Sequence, residues 1–479
     1  MLVAGVDCST QATKVVIIDA ADGRIVARAK VPHRVSGANG RRESNPEEWW
    51  TAMGVALRET GRVGDVAAIA VAAQQHALVV LDADGVPLRP APLWNDTTSA
   101  ADADRLIAEL GGPAVWSAQL GSVPTTAFTV AKWASLRRSA PTMLDQVKAV
   151  RLPHDFLTER LGGRAVSDRG DASGTGWWSP ADEGYVPEVL ALESVGLDAE
   201  LLPEVLSGAE PVATAGDGAG AKALGLPSGT VVAAGTGDNM AAAVGLGLAP
   251  GTPGLSLGTS GTVFALADRP ADDPTGTIAG FADAGQGFMP LACTLNATLA
   301  VDRVAAWLRL EREDVEPAGE VTVLPYLDGE RTPNYPRAAS TITGLRHDTT
   351  SKQILQAAYD GVVEGLLAAL DKLDEVSRCV DSGAPLVLAG GGSMGDAWRA
   401  TVSRLSGRSV RVSMEPELVA VGAAALAAVS LSGGAAATIA REWASRKPSL
   451  TIEPVERDEA RRAHLRAVRE LLEPLNEVE

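Results

Sequence analysis

Cysteine is scarce. The chain holds three in 479 residues, Cys8, Cys293 and Cys379, far apart and with no CxxC pair. That supplies neither a zinc framework nor a disulfide scaffold and suits a reducing cytosol, so a cytoplasmic location is expected. Basic charge is in deficit too: 42 Lys and Arg stand against 60 Asp and Glu, a formal net charge of -18. A nucleic-acid or anionic-membrane partner would want a basic patch, so neither is expected. A phosphate substrate survives that exclusion, because glycine loops and a metal override the global sign locally. The opening "MLVAGVDCST" has no basic stretch and carries an acid at position 7, so it is not expected to act as a signal peptide. Long apolar runs are nearly missing as well. Val421 to Ala440 is uncharged over a bilayer-spanning length, yet it is mostly Ala, Gly and Ser with a Gly-Gly interruption. A close-packed buried helix is expected there.

What is present is the composition of an ordinary globular protein, 46% hydrophobic and 21% charged. A chain of 479 residues exceeds one hydrophobic core, so two domains of comparable size are expected. The first segment runs "LVAGVD", the turn "CSTQA", then "TKVVIID" and "RIVARAKV", short strands punctuated by turns. The same grammar returns as "PGLSL", "GTSG" and "TVFALAD", which indicates a duplicated architecture. The break falls where Gly and Pro concentrate, Gly245 to Gly254. "NPEEWWTAMGVALRETG" predicts a helix with Asn45 as N-cap and Pro46 at its first position. Strands alternating with helices make both domains α/β.

Several loops carry candidate chemistry. Gly5 to Lys14 delivers Asp7 to a turn of small hydroxyl residues, Ser9 and Thr10, with Lys14 beyond. Such a turn offers N–H groups and hydroxyls to a phosphate while a carboxylate holds its magnesium; the plainer reading is a hairpin with Asp7 as a turn former. "SLGTSGT", with Gly258, Thr259 and Ser260, has the same small-residue character, and Gly390, Gly391 and Gly392 follow an apolar strand. "GDGAGAK", Gly216 to Lys222, lacks the Gly-Lys-Ser/Thr order of a Walker loop and is set aside. "TVVAAGTGDNMAAA" places Asp238 where a buried strand meets a helix, a position that suits either an N-cap or a reactive carboxylate. Gln74, Gln75 and His76 interrupt an apolar strand, and buried polar groups need partners. Alternation puts Gln75 on the face opposite Gln74 and His76, so Gln75 and His76 share a pocket only if the strand ends or bends there. Trp94 beside Asn95 and Asp96 offers an aromatic platform with hydrogen-bonding groups, although the latter two serve equally as turn residues. His154, Asp155, Ser167, Asp168 and Asp171 either scaffold the site or line it.

Together these motifs resemble the FGGY family of carbohydrate kinases from Gly5 to about Ala428. The specific elements are "STITGLRHDTTSKQILQAAYD", the Gln74 to His76 pattern, "LWND", "LPHD", the Asp238-Asn239 pair and "LPYLDGERTPNYP". The resemblance implies two ribonuclease-H-like, actin-type ATPase domains around a central cleft. Residues 1–245 would carry the sugar site and first phosphate loop, and residues 246–479 the nucleotide site, ending in a charged surface helix from about Glu453. It further implies ATP- and magnesium-dependent phosphorylation of D-xylulose to D-xylulose 5-phosphate in pentose catabolism, with a related ketose or polyol kinase, or a non-catalytic ATPase module, as alternatives. By the same similarity Asp238 is the general base, and Asp7 is the essential carboxylate facing metal or phosphate. Asp7 and Asp238 are the candidate metal carboxylates, and Gln75, His76, Trp94, Asp238 and Asn239 the sugar contacts. Ser9, Thr10, Lys14, Gly258 to Ser260 and Gly390 to Gly392 would hold the nucleotide. The chain departs from the family at Ser9, where Gly is usual, at Ser135, where Trp is usual, and at His154, where Lys is common. Expected partners are the small sugar and, as one option, a second copy in a homodimer.

Overall fold

The apolar run Leu2–Cys8 is buried along nearly its whole length because it lies inside a seven-stranded sheet of the computed structural model, which describes residues 1–215, 219–447 and 449–476. The sheet order is Pro211–Thr214, Val231–Ala233, Val66–Ala73, Leu2–Cys8, Ala12–Asp19, Arg24–Pro32, with Thr236–Gly237 pairing beside Val66–Ala73. The first three strands in sequence are antiparallel neighbours, as their short connecting turns require. Val66–Ala73 then joins Leu2–Cys8 in parallel after a crossover through the helix Pro46–Glu59. Asn45 caps that helix, its side chain accepting the Glu47 N–H at 3.0 Å, and Pro46 follows at the first helical position. Trp49, Met53 and Leu57 on its inner face join Val15, Ile17, Ile69 and Val71 of the sheet in one core.

The chain forms two compact units interleaved in sequence: Met1–Leu248 with Asp268–Met289 and Glu417–Lys447, and Ala249–Ala267 with Pro290–Pro416 and Pro448–Glu479. In the second unit Gly254–Leu257, Gly261–Phe264 and Phe288–Thr294 are successive antiparallel neighbours. Leu386–Ala389 pairs in parallel with Gly254–Leu257, and Val410–Val412 continues on its far side. The second unit therefore repeats the strand logic of the first, and the expected mixed α/β architecture with two sheets is observed. Residues 216–218 of the loop set aside above lie outside the described residues.

The alanine-rich run becomes the buried helix Leu418–Ser432, which packs on Leu2–Cys8, Val66–Ala73 and the helix Asp238–Gly245. Its small residues are there for backbone approach. A Cβ on Gly422 would lie 1.9 Å from the Ala241 carbonyl oxygen, so only glycine lets the two helices meet. Gly433 and Gly434 separate it from Ala436–Ser445, and the two helices bend by 118°. Among the described residues no single helix is long and apolar enough to cross a membrane.

The C-terminal segment differs from its expectation as a solvated surface helix starting near Glu453. A short strand, Leu450–Ile452, precedes a helix that starts at Glu459, and that helix buries Arg461 and Arg462. The reason lies in the helix Ser351–Ser377, which buries Asp360 and Glu364. Buried carboxylates need cations. Arg461 Nε meets Asp360 Oδ2 at 2.7 Å, and Arg462 Nε meets Glu364 Oε2 at 2.5 Å.

Candidate active site

Strand register assembles the site in the first unit. Asp7 stands beside Ala72 in one parallel pairing, and Ala72 stands beside Thr236 in the next. Three segments thus leave the sheet at the same edge: the turn with Ser9 and Thr10, the Gln74–His76 turn, and the helix that starts at Asp238. The carboxyl ends of parallel strands are where open α/β sheets collect ligands.

Asp7 is buried, with Oδ2 held 3.2 Å from Lys14 Nζ. Its Oδ1 has no hydrogen-bond partner among the described residues. Lys14 also meets Glu417 Oε2 at 3.2 Å, so one ammonium serves two carboxylates. Burial raises the Asp7 carboxyl above its usual range, and Lys14 opposes that shift. The first turn has hairpin geometry: Ser9 donates its hydroxyl and its N–H to the Ala12 carbonyl at 2.9 and 3.0 Å. Thr10 accepts the indole N–H of Trp94 at 3.0 Å, which brings a predicted phosphate residue and a predicted sugar residue into contact. Asp96 is a turn former, accepting the N–H groups of Arg42 and Thr98 at 2.7 and 2.9 Å.

Asp238 is not the N-cap. Gly237 takes that position, and Asp238 is the first helical residue, so its carboxylate is not spent as a cap. A Cβ on Gly237 would strike the Gln75 side chain at 2.6 Å, which explains the glycine. Burial pushes the Asp238 carboxyl up to about 8; Asp7 and Asp171 add negative potential, and the N–H groups of Asn239 and Asp238 offset part of it. A carboxyl raised in this way binds a proton more tightly than an ordinary aspartate does. Asn239 donates its amide to Gln75 Oε1 at 2.8 Å and to Asp238 Oδ1 at 3.2 Å.

The Gln74–His76 segment turns as the parity argument demands. The strand stops at Ala73, and His76 has φ 66°, a left-handed conformation uncommon for any residue but glycine. Its Nδ1 lies 2.7 Å from the Gly174 carbonyl, so that nitrogen carries a proton. The ring stacks on Phe128 with centroids 5.1 Å apart. Gln74 is wholly buried, and neither polar atom of its side chain has a hydrogen-bond partner among the described residues.

Behind this edge His154 is enclosed by acids. Its Nδ1 is 2.7 Å from Asp171 Oδ2, and Nε2 is 3.3 Å from Asp155 Oδ1 and 3.7 Å from Asp168 Oδ1. The sequence left these residues open between scaffold and lining; all four are buried.

The second unit brings the remaining loops together. Gly258 to Ser260 form the turn between Gly254–Leu257 and Gly261–Phe264, and Ser256 is the register partner of Ala389, just ahead of Gly390. Gly390 has φ 85°, and a Cβ there would lie 2.7 Å from the Leu257 carbonyl oxygen, so the glycine run fits closely against the first loop. A Cβ built on Gly391 meets no atom within 4 Å, which leaves its backbone open to a ligand. Sequence reasoning missed what supports these loops. Thr298 donates its hydroxyl to Gly258 O at 2.8 Å, and the neighbouring Leu295 and Asn296 N–H groups are held by the buried carboxylate of Glu330. The signal was one of two acids, Asp328 and Glu330, inside "LPYLDGERTPNYP", a stretch read there only as part of a resemblance.

Comparison with known proteins agrees with this geometry. Residues 2–245 match the profile of the N-terminal domain of the FGGY family of carbohydrate kinases, and residues 254–431 that of its C-terminal domain. A xylulose kinase of Streptomyces coelicolor is 56% identical over 460 residues, covering 96% of this chain and 94% of its own. One from Streptomyces rubiginosus is 55% identical over the same shares. The crystal structure of xylulose kinase from Bifidobacterium adolescentis superposes with a TM-score of 0.85 at 32% identity, over 98% of this chain and 99% of that one. Two sheets of one logic, loops gathered at their strand ends and family profiles spanning both halves lead to one conclusion: the chain belongs to the FGGY family of carbohydrate kinases.

Proposed function

We propose that this kinase transfers the γ-phosphoryl group of ATP to O5 of D-xylulose, giving D-xylulose 5-phosphate, with Asp238 as general base. The supporting observation is Asp238 itself. It is freed from capping, raised by burial and tied through Asn239 to Gln75. The choice of D-xylulose is supported by two xylulose kinases that share more than half their aligned residues with this chain. In this reading Gln75, His76, Trp94 and Asn239 bind the sugar. Residues 1–245 also supply Ser9, Thr10 and Lys14 toward phosphate, and residues 246–479 the nucleotide loops at Gly258–Ser260 and Gly390–Gly392. Three cysteines far apart in sequence suit a reducing compartment, so a cytoplasmic enzyme of pentose catabolism is the setting of this reading.

Phosphoryl transfer passes through a loose transition state, so the protein positions reactants, neutralises charge and accepts one proton. Asp238 takes that proton from the attacking hydroxyl, while Asn239 holds its carboxylate in place. Magnesium favours oxygen donors and keeps several waters. Asp7 fits such a role, since Oδ1 is buried without a partner; no group of three or more metal ligands stands together among the described residues, so ATP and water would complete the shell. Held by Asp7 and Asp238, the ion would neutralise phosphate charge.

The test is ADP release across D-xylulose, D-ribulose and glycerol, repeated with Asp238→Asn. D-xylulose is expected to give the highest kcat/KM, and the variant to lose about 10²–10⁴ in kcat while still binding sugar. Preference for another sugar overturns the substrate; near-normal kcat in the variant overturns the base.

A further inference from the structure

Three carboxylates surround one imidazole that the proposed mechanism does not use. His154 is wholly buried, as are Asp155, Asp168 and Asp171. Each acid has a second task. Asp155 accepts the Leu152 N–H at 2.8 Å and fixes the start of the helix Pro153–Gly162. Asp168 accepts the N–H groups of Gly170 and Asp171 at 2.9 and 3.0 Å, and the Thr236 hydroxyl at 2.7 Å. Thr236 lies two residues before Asp238. Asp171 opens the turn whose Gly174 carbonyl meets His76 Nδ1 at 2.7 Å, and Asp171 N–H itself is held by Asp168. The cage therefore touches the backbone on both sides of the site, at the approach to Asp238 and beneath His76.

The protonation state follows from the geometry. Nδ1 is within hydrogen-bond distance of Asp171, so it carries a proton. Nε2 faces two carboxylate oxygens at 3.3 and 3.7 Å. Nε2 makes no hydrogen bond among the described residues, so charge and distance decide its state: a bare lone pair this close to two anions would be repelled by both, whereas N–H⁺ is attracted. Three buried carboxylates without a cation would carry a large desolvation cost.

We propose that His154 is a permanent buried imidazolium, a positioning residue whose charge holds Asp168 and Asp171 together and so sets the relative placement of Asp238 and His76. The inference rests on the roles assigned above to those two residues. It touches no substrate; it acts through the cage. Burial alone would lower its pKa, but Asp155, Asp171 and Asp168 outweigh burial and push it up to about 9. A neutral ring with the proton shared by Asp155 is the competing arrangement.

Two measurements test it. In the full-length wild-type protein, nitrogen-15 NMR of the imidazoles should show His154 with both nitrogens protonated at pH 7.5. A neutral His154 ring overturns the proposal without any variant having to fold. Second, His154→Gln, which keeps hydrogen bonding and removes the charge, is expected to lower kcat/KM for sugar by about 10²-fold, the size of a small misplacement of reacting groups. KM for ATP should not move. His154→Lys restores a cation and should recover most of the loss; recovery by Lys is the outcome a merely space-filling histidine would not give. If both variants fold, by circular dichroism and melting, and both keep wild-type kcat/KM, the cage does not position the site. Asp238→Asn in parallel separates the two ideas: loss of turnover there with no effect at His154 overturns only the cage, whereas normal turnover there overturns the base assignment first.

Discussion

Asn239 Nδ2 stands 2.8 Å from Gln75 Oε1 and 3.2 Å from Asp238 Oδ1, so one amide joins the strand-end glutamine to the proposed base. Gln75 Nε2 is buried with no hydrogen-bond partner among the described residues. An unsatisfied buried donor beside a base is a place for a hydroxyl or carbonyl of a substrate. Gln75→Leu removes both the hold on Asn239 and that donor at nearly constant volume. KM for D-xylulose should rise about tenfold, one lost buried hydrogen bond, with a smaller change in KM for ATP. Steady-state kinetics decide; an unchanged sugar KM means that Gln75 only packs against Gly237.

Asp238→Asn should stabilise the fold while it abolishes turnover. The folded carboxyl is pushed up to about 8 by burial, then by Asp7 and Asp171. A carboxyl raised above its unfolded value makes the native state bind the extra proton, so stability falls as pH rises from about 4 through about 8. Asparagine has no proton to lose. The gain over wild type therefore grows across that window and is complete above it, on the order of 2 kcal/mol because solvent partly reaches the residue. Urea unfolding at pH 5 and pH 8.5 measures it, and a variant less stable at both values rules the account out.

Much of this was legible along the chain because the determinants are local. Asn45-Pro46 marks a helix start by chemistry that needs no tertiary context, and the two hairpin turns announce themselves by small residues between alternating strands. Parity showed that Gln75 and His76 require a bend, and the chain turns at Ala73 with His76 in a left-handed conformation. What was not legible depends on distance. Asp238 read equally well as a cap until Gly237 was seen in that position. Glu330 holds the backbone of Leu295 and Asn296, a contact that no spacing encodes. The tail read as solvated because its arginines had no visible partners; Asp360 and Glu364 lie about a hundred residues upstream.

Glu330→Gln should weaken nucleotide handling and spare the sugar. The carboxylate accepts the N–H groups of Leu295, Asn296 and Arg331 and the Asn296 side-chain amide. Burial raises its pKa, and those donors hold the shift back. A glutamine turns one acceptor into a donor facing N–H groups, which loosens the segment whose Thr298 hydroxyl anchors Gly258. KM for ATP should rise about tenfold, equivalent to one charge-assisted hydrogen bond. An unchanged ATP KM with a raised sugar KM contradicts this placement.

The Lys14 ammonium is already committed to two acids. It sits 3.2 Å from both Asp7 Oδ2 and Glu417 Oε2, a single cation between two acids. Lys14→Met keeps the aliphatic stem and leaves Asp7 buried without its counter-ion. Removing one partner of a buried pair is costly, about 2 kcal/mol here, since the lysine remains partly exposed to water. Burial already raises the Asp7 carboxyl, and losing Lys14 raises it further, so the variant relieves its strain by taking a proton in acid. The deficit against wild type is therefore largest at pH 8 and narrows toward pH 5 as Asp7 becomes neutral. Thermal and urea unfolding at the two values measure it. Turnover should fall as well, because a protonated or displaced Asp7 no longer offers Oδ1 to the nucleotide's cation; normal magnesium dependence in a folded Lys14→Met protein would return the first turn to a simple hairpin.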